Sequence, residues 1–132
     1  MNFSPTVFVI DDEEPIRTSF AALLEVLSIN VQTFASAQMF LDSYAADWTG
    51  CVFVDLRMPS MSGLDLVNEL RRRGSRLLAV AMTGHGDEEL IQKLHDAGVV
   101  EVLEKPFSVA RLKEVLQSHL PTFCHNPPSG GA

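Results

Sequence analysis

An α/β fold built on a five-stranded parallel sheet, in the order 2-1-3-4-5 with helices on both faces, is the architecture that this 132-residue sequence predicts. Three observations predict it. Short apolar runs rich in β-branched residues are nearly continuous, as in strands covered on both faces. Segments with apolar residues at helical spacing separate those runs. The strand–helix unit occurs five times in succession, an order that right-handed crossovers convert into one parallel sheet.

The first strand is Val7-Phe8-Val9-Ile10. Ile16, Phe20, Leu23, Leu24 and Leu27 then fall on one face of a helix, with Pro15 in the first turn, where its missing N–H costs nothing. A short second strand covers Val31 to Phe34, and Ser36 is a candidate cap for the helix carrying Phe40 and Leu41. The third strand, Cys51 to Val54, ends at Asp55. After a loop with Pro59 and Gly63, a third helix carries Leu64, Val67 and Leu70 and stops near Gly74. Leu77 to Met82 form the fourth strand, and Leu90, Ile91 and Leu94 mark a helix that ends before Gly98. The fifth strand is Val99 to Leu103. The last helix presents Val109, Leu112, Leu116 and Leu120 on one face, with Ser108 as cap and Pro121 as stop. Residues 1–120 thus form one domain, and residues 121–132 have the composition of a disordered tail or the start of a linker.

Composition narrows the function. Hydrophobic residues make up 46% of the chain and charged residues 20%, the balance of a globular domain. No apolar run is long enough to span a membrane, and the N-terminus has no signal-peptide pattern, so the expected location is the cytoplasm. The net charge of -7 disfavours direct nucleic-acid binding by this chain. Cys51 and Cys124 form no metal spacing and read as free thiols.

The polar residues at the carboxyl ends of the strands carry the chemistry. Asp11 and Asp12 follow the first strand, Asp55 ends the third, Thr83 follows the fourth and Lys105-Pro106 follows the fifth. In the predicted strand order these residues converge on one crevice. Carboxylates so placed repel unless a cation lies between them, and hard oxygen donors at an open site suit Mg2+. The loop after the third strand offers a backbone carbonyl as well, for instance that of Arg57. Asp55 is central. With a reference pKa near ~4, a carboxylate attacks phosphorus without a general base. Lys105 and Mg2+ would balance the charge of the transferring oxygens, with hydrogen bonds from the Thr83 hydroxyl. Periodicity alone does not select this chemistry over that of other acidic sites.

Four motifs do. Val-Ile-Asp11-Asp12-Glu, Val-Asp55-Leu-Arg-Met-Pro59-Ser-Met-Ser-Gly63, Met-Thr83-Gly-His-Gly-Asp and Glu-Lys105-Pro106-Phe resemble the receiver domains of bacterial two-component response regulators, with their CheY-like (βα)5 fold. The resemblance covers about residues 5–120, and the wording of the motifs is similar to the FixJ-like subgroup. It implies that Asp55 is the phosphoacceptor, with a histidine kinase as donor. It implies that Asp12, Asp55 and the Arg57 carbonyl bind Mg2+ directly and Asp11 through water. Lys105 then pairs with the phosphate, Thr83 binds a phosphate oxygen and moves, and the Lys105–Pro106 bond is cis. The output surface is formed by the fourth helix, fifth strand and fifth helix. It engages an output domain, another target or, on phosphorylation, a second copy. The subgroup often carries a helix-turn-helix output domain, which implies transcription control by a domain that these residues do not include. A stand-alone adaptor, a phosphate sink or a phosphate-independent interaction module is the alternative. One departure bears on this choice. Val102 stands where the family usually has Phe or Tyr, and a valine cannot swing as a ring does.

Other residues have plainer explanations. Arg71, Arg72, Arg73 and Arg76 complement a helix C-terminus. His85 is an exposed loop residue, and His95, His119 and His125 share no metal spacing. Trp48 anchors a loop; Met58 and Met61 pack locally. An aspartyl phosphatase would need a second acid at position 57, which is Arg, and no Gly-rich phosphate loop follows the first strand.

Overall fold

The computed structural model describes residues 6–119. The elements alternate as β1 (Thr6–Ile10), α1 (Glu14–Val26), β2 (Asn30–Phe34), α2 (Ala37–Ser43), β3 (Gly50–Asp55), α3 (Gly63–Arg72), β4 (Leu78–Thr83), α4 (Glu88–Asp96), β5 (Glu101–Glu104) and α5 (Val109–His119). The five strands pair in parallel in the order β2-β1-β3-β4-β5. Leu120, Pro121, Cys124, His125 and the segment 121–132 lie outside the described residues.

Alternate strand residues point to opposite faces, and here both faces are dry. Phe8, Ile10, Val52, Val54, Ala79 and Ala81 pack beneath Phe40 of α2, Leu66 and Leu70 of α3 and Leu94 of α4. Val7, Val9, Cys51, Phe53, Val80 and Met82 face the other way, against Phe20 and Leu24 of α1 and Leu112 and Leu116 of α5. Trp48 anchors its loop by stacking on Phe8, with centroids 4.5 Å apart and planes within 8°. Gly50 lets β3 begin close to β1. Its φ is +125°, and a Cβ there would lie 2.0 Å from the Thr6 carbonyl oxygen.

The helix ends follow local chemistry. Pro15 lies in the first turn of α1, and the Ser36 hydroxyl accepts from the Met39 N–H. Ser62 and Asp65 form a reciprocal capping box at α3, Asp87 caps α4, and Ser108 accepts from the Arg111 N–H. Two expectations shift. β5 starts at Glu101, because the Val99 N–H closes α4 onto the Leu94 carbonyl and Val100 donates to Ala79. Val109 is half exposed instead of joining the buried face of α5, which uses Leu112, Val115 and Leu116.

Leu24 and Val26 are near neighbours on α1 with opposite environments, 0% and 79% exposed. Leu24→Ala should cost about 2–5 kcal/mol in urea denaturation, whereas Val26→Ala should change stability by less than about 0.5 kcal/mol. Equal losses would contradict this packing of α1.

Candidate functional site

β1, β3, β4 and β5 are consecutive in the sheet and parallel, so their carboxyl ends share one edge. Asp11 follows β1, Asp55 and Thr83 close β3 and β4, and Lys105 follows β5. All four come together, with Asp12 at the rim. Asp11 is fully buried, Asp55 is 7% and Thr83 3% exposed, and Asp12 is exposed.

Backbone and lysine contacts fix Asp11 and Asp55 in place. The Asp11 N–H donates to the Phe34 carbonyl at 3.1 Å. One carboxylate oxygen of Asp11 accepts from the Glu13 N–H at 2.9 Å and the other from Lys105 Nζ at 2.7 Å. The same ammonium lies 3.4 Å from Asp55 Oδ2, while Asp55 Oδ1 accepts from the Arg57 N–H at 3.2 Å. Lys105 is itself anchored, its N–H donating to the Thr83 carbonyl at 2.7 Å, and the Lys105–Pro106 peptide is cis. Thr83 Oγ1 accepts from the His85 N–H at 3.1 Å.

Burial pushes the Asp55 pKa up, and the neighbouring Asp11 charge adds to it. The Arg57 N–H and the Lys105 ammonium pull the other way without cancelling the rise. Burial pulls Lys105 down, but its hydrogen bond to Asp11 and the charges of both acids outweigh that, so its pKa rises. One oxygen from each of Asp11, Asp12 and Asp55 lies within 4.8 Å of the others. Such a set can hold a small hard cation with oxygen preference.

Two contributors were given no role of their own in the site from the sequence, although Gly63 ends one of the four motifs. Gly63 opens α3 directly against the acidic loop: its N–H donates to the Leu56 carbonyl, and a Cβ there would lie 2.6 Å from the Asp55 carbonyl oxygen. The capping pattern Ser62-x-x-Asp65 could have flagged this helix start. Arg17 donates to the Asp11 carbonyl at 2.7 Å; a basic residue one turn into the helix after an acid pair was its only signal. The arginine cluster lies elsewhere. Arg72 and Arg73 bind Glu69, and Arg71 donates to the Asp96 carbonyl at the end of α4. His85 and His95 are exposed, His119 pairs with Glu101, and Cys51 is buried in β3, where burial pushes its thiol pKa up. Met58 and Met61 pack against the layer of α2, α3 and α4.

Residues 7–117 match the family described as response regulator receiver domain. The chain is 40% identical over 114 residues to the transcriptional regulatory protein FixJ of Azorhizobium caulinodans, covering 86% of this chain and 54% of that protein. It is 36% identical over 115 residues to the transcriptional regulatory protein TdiR of Thauera aromatica, covering 87% and 51%. The chain therefore spans about half the length of these relatives. Among solved structures, it is similar to the crystal structure of FixJ-N, with a TM-score of 0.79 at 36% identity, covering 91% of this chain and 98% of that one. Full-length FixJ from B. japonicum gives a TM-score of 0.81 at 34% identity, covering 92% and 60%.

The raised pKa of Asp55 means that the folded state binds a proton more tightly there than the unfolded chain does. This residue therefore costs stability as pH rises through the unfolded value to the folded one. Without divalent cation, Asp55→Asn should raise the unfolding temperature at neutral pH. The gain should vanish below the ordinary carboxylate range, where both states are protonated. Thermal unfolding across pH measures this, and a loss of stability at neutral pH would mean that Lys105 already balances the charge.

Proposed function

The chain belongs to the response regulator receiver domain family, and from that premise we propose that it accepts a phosphoryl group from a histidine kinase on Asp55, in a Mg2+-dependent reaction in the cytoplasm. The observation that carries this is the central, buried Asp55 carboxylate, flanked by Asp11 and Thr83 and contacted by Lys105. An Asp55 oxygen bonds to phosphorus as the phosphorus–nitrogen bond to the donor imidazole breaks, and the imidazole leaves with that electron pair. Lys105 then balances charge on the transferred group, and the Thr83 hydroxyl, which accepts from the His85 N–H, donates its own proton to a phosphate oxygen.

The donor set fits Mg2+: hard oxygens, close together, with Asp12 open to solvent. Asp12, Asp55 and the Arg57 carbonyl would hold it. Asp11, fully buried and bound to Lys105 and the Glu13 N–H, would act through water. When bound, the ion supplies positive charge to the transferring oxygens.

The output follows from Thr83. The surface that changes is α4-β5-α5, which meets an output domain, another target or, in the phosphorylated state, a second copy. Val102 pairs in register with Ala81 and packs against the layer of α2, α3 and α4, so no ring swings at this position. Thr83 meets α4 through Gly86 instead: a Cβ at Gly86 would lie 3.3 Å from Thr83 Cγ2 and 3.6 Å from Ile91 Cδ1. Residues 1–120 form the receiver unit and 121–132 a tail or linker. The names of the relatives support transcription control, through a domain that these residues do not include. The chain acts as a signalling phosphoacceptor, catalysing only its own phosphorylation and dephosphorylation. Among the described residues no helix is long and apolar enough to cross a membrane.

Intact-mass analysis and size exclusion with a small acyl-phosphate donor test this. Wild type should gain one phosphoryl group only with Mg2+, and Asp55→Asn none. No gain under any condition would favour a phosphate-independent interaction module, and a gain without change in size or mobility would favour a monomeric adaptor or phosphate sink. Mg2+ at a hundredfold excess over Kd should stabilise wild type by about 2.7 kcal/mol. Asp12→Asn should lose most of that response; an unchanged response would remove Asp12 from the site.

A further inference from the structure

Arg17 lies in the first half of α1, and its guanidinium turns back toward the end of β1 to donate to the Asp11 carbonyl at 2.7 Å. Among the described residues it forms no ion pair, although Asp11, Asp12 and Asp55 cluster at the same edge and Lys105 binds two of them. An arginine that takes the backbone carbonyl of Asp11 and pairs with none of the three carboxylates is not there to neutralise them.

We propose that Arg17 is a positioning residue for the cation, acting through Asp12. This inference rests on the Mg2+ reading of the site. The Asp11 carbonyl oxygen and the Asp12 nitrogen belong to one rigid peptide plane. Fixing that oxygen fixes the plane, and with it the direction in which Asp12 leaves the backbone. Asp12 needs this help more than its neighbours. Asp11 is clamped by Lys105 and the Glu13 N–H, and Asp55 by the Arg57 N–H and Lys105. Asp12 is exposed, and its carboxylate has no hydrogen-bond partner among the described residues. The preceding peptide is also held, because the Asp11 N–H donates to the Phe34 carbonyl. Arg17 thus completes a frame in which the one free carboxylate is presented by its backbone.

Charge and positioning predict opposite signs. If Arg17 acted only as a nearby cation, removing it would make the crevice more negative and tighten Mg2+. As a positioning residue, its loss weakens Mg2+, by about tenfold on the scale of residues that orient metal ligands. The experiment is a calorimetric Mg2+ titration of the full chain as wild type, Arg17→Met and Arg17→Lys, with Asp12→Asn as the reference for a lost ligand. Arg17→Met keeps the aliphatic stem and removes donor and charge; Arg17→Lys keeps one donor and the charge. The expected result is a Kd raised about tenfold in Arg17→Met and partly restored in Arg17→Lys. If Arg17→Met does not fold, Arg17→Gln makes the same comparison without the charge. An unchanged or lowered Kd in the neutral variant overturns the proposal. Absence of Mg2+ binding in wild type overturns the metal reading beneath it, and the two failures are told apart by wild type alone.

Discussion

The ammonium group of Lys105 lies 2.7 Å from Asp11 and 3.4 Å from Asp55, and the edge of the sheet is organised around that contact. Parallel pairing brings the ends of β1 and β3 side by side, which forces two buried carboxylates together. Neither can be left without a counter-charge in so dry a place. Lys105 leaves the edge strand β5 and reaches past the ends of β4 and β3 to meet them. Its anchor is the bond from its own N–H to the Thr83 carbonyl, so the cation is placed by backbone and not by its flexible stem.

That arrangement leaves the site balanced but not saturated. Asp11 has used both carboxylate oxygens, while Asp12 faces solvent. Asp55 keeps a raised pKa in spite of Lys105, because burial outweighs the help it receives. A carboxylate held in this condition would gain from an added cation. The rigid parts are the strand ends, packed between two apolar layers. Loops complete the edge: the Thr83–His85 turn, which meets α4 at Gly86, and the segment from Asp55 to Gly63, closed down by the start of α3.

Much of this was legible in the chain. The apolar runs and helical spacings located every element, since a strand covered on both faces and an amphipathic helix have different periods. The strand-end residues were legible for a related reason: in a parallel sheet, the residue after an apolar run must emerge at the shared edge. Capping residues such as Ser36 and Ser108 were visible because capping is local. The start of β5 was placed two residues early because Val99 and Val100 are as apolar as a strand, yet the Val99 N–H completes the exit from α4 while the Val100 N–H reaches Ala79 of β4.

By itself, then, the sequence determined the order of elements and the groups that follow each strand, both properties of local periodicity and of short connections, while the strand order was the one common to five such units. Tertiary structure alone decided how those groups differ from one another. Asp11 and Asp12 are adjacent and chemically identical, yet one is fully buried against Lys105 and the Glu13 N–H and the other exposed. The preference of Lys105 for Asp11 over Asp55, the grip of Arg17 on a carbonyl and the close approach of Gly63 to Asp55 are of the same kind. Each is a matter of a few tenths of an ångström to a few ångströms between groups brought together by packing. Lys105 and Asp11 stand 94 residues apart in the chain, and no periodicity spans that separation.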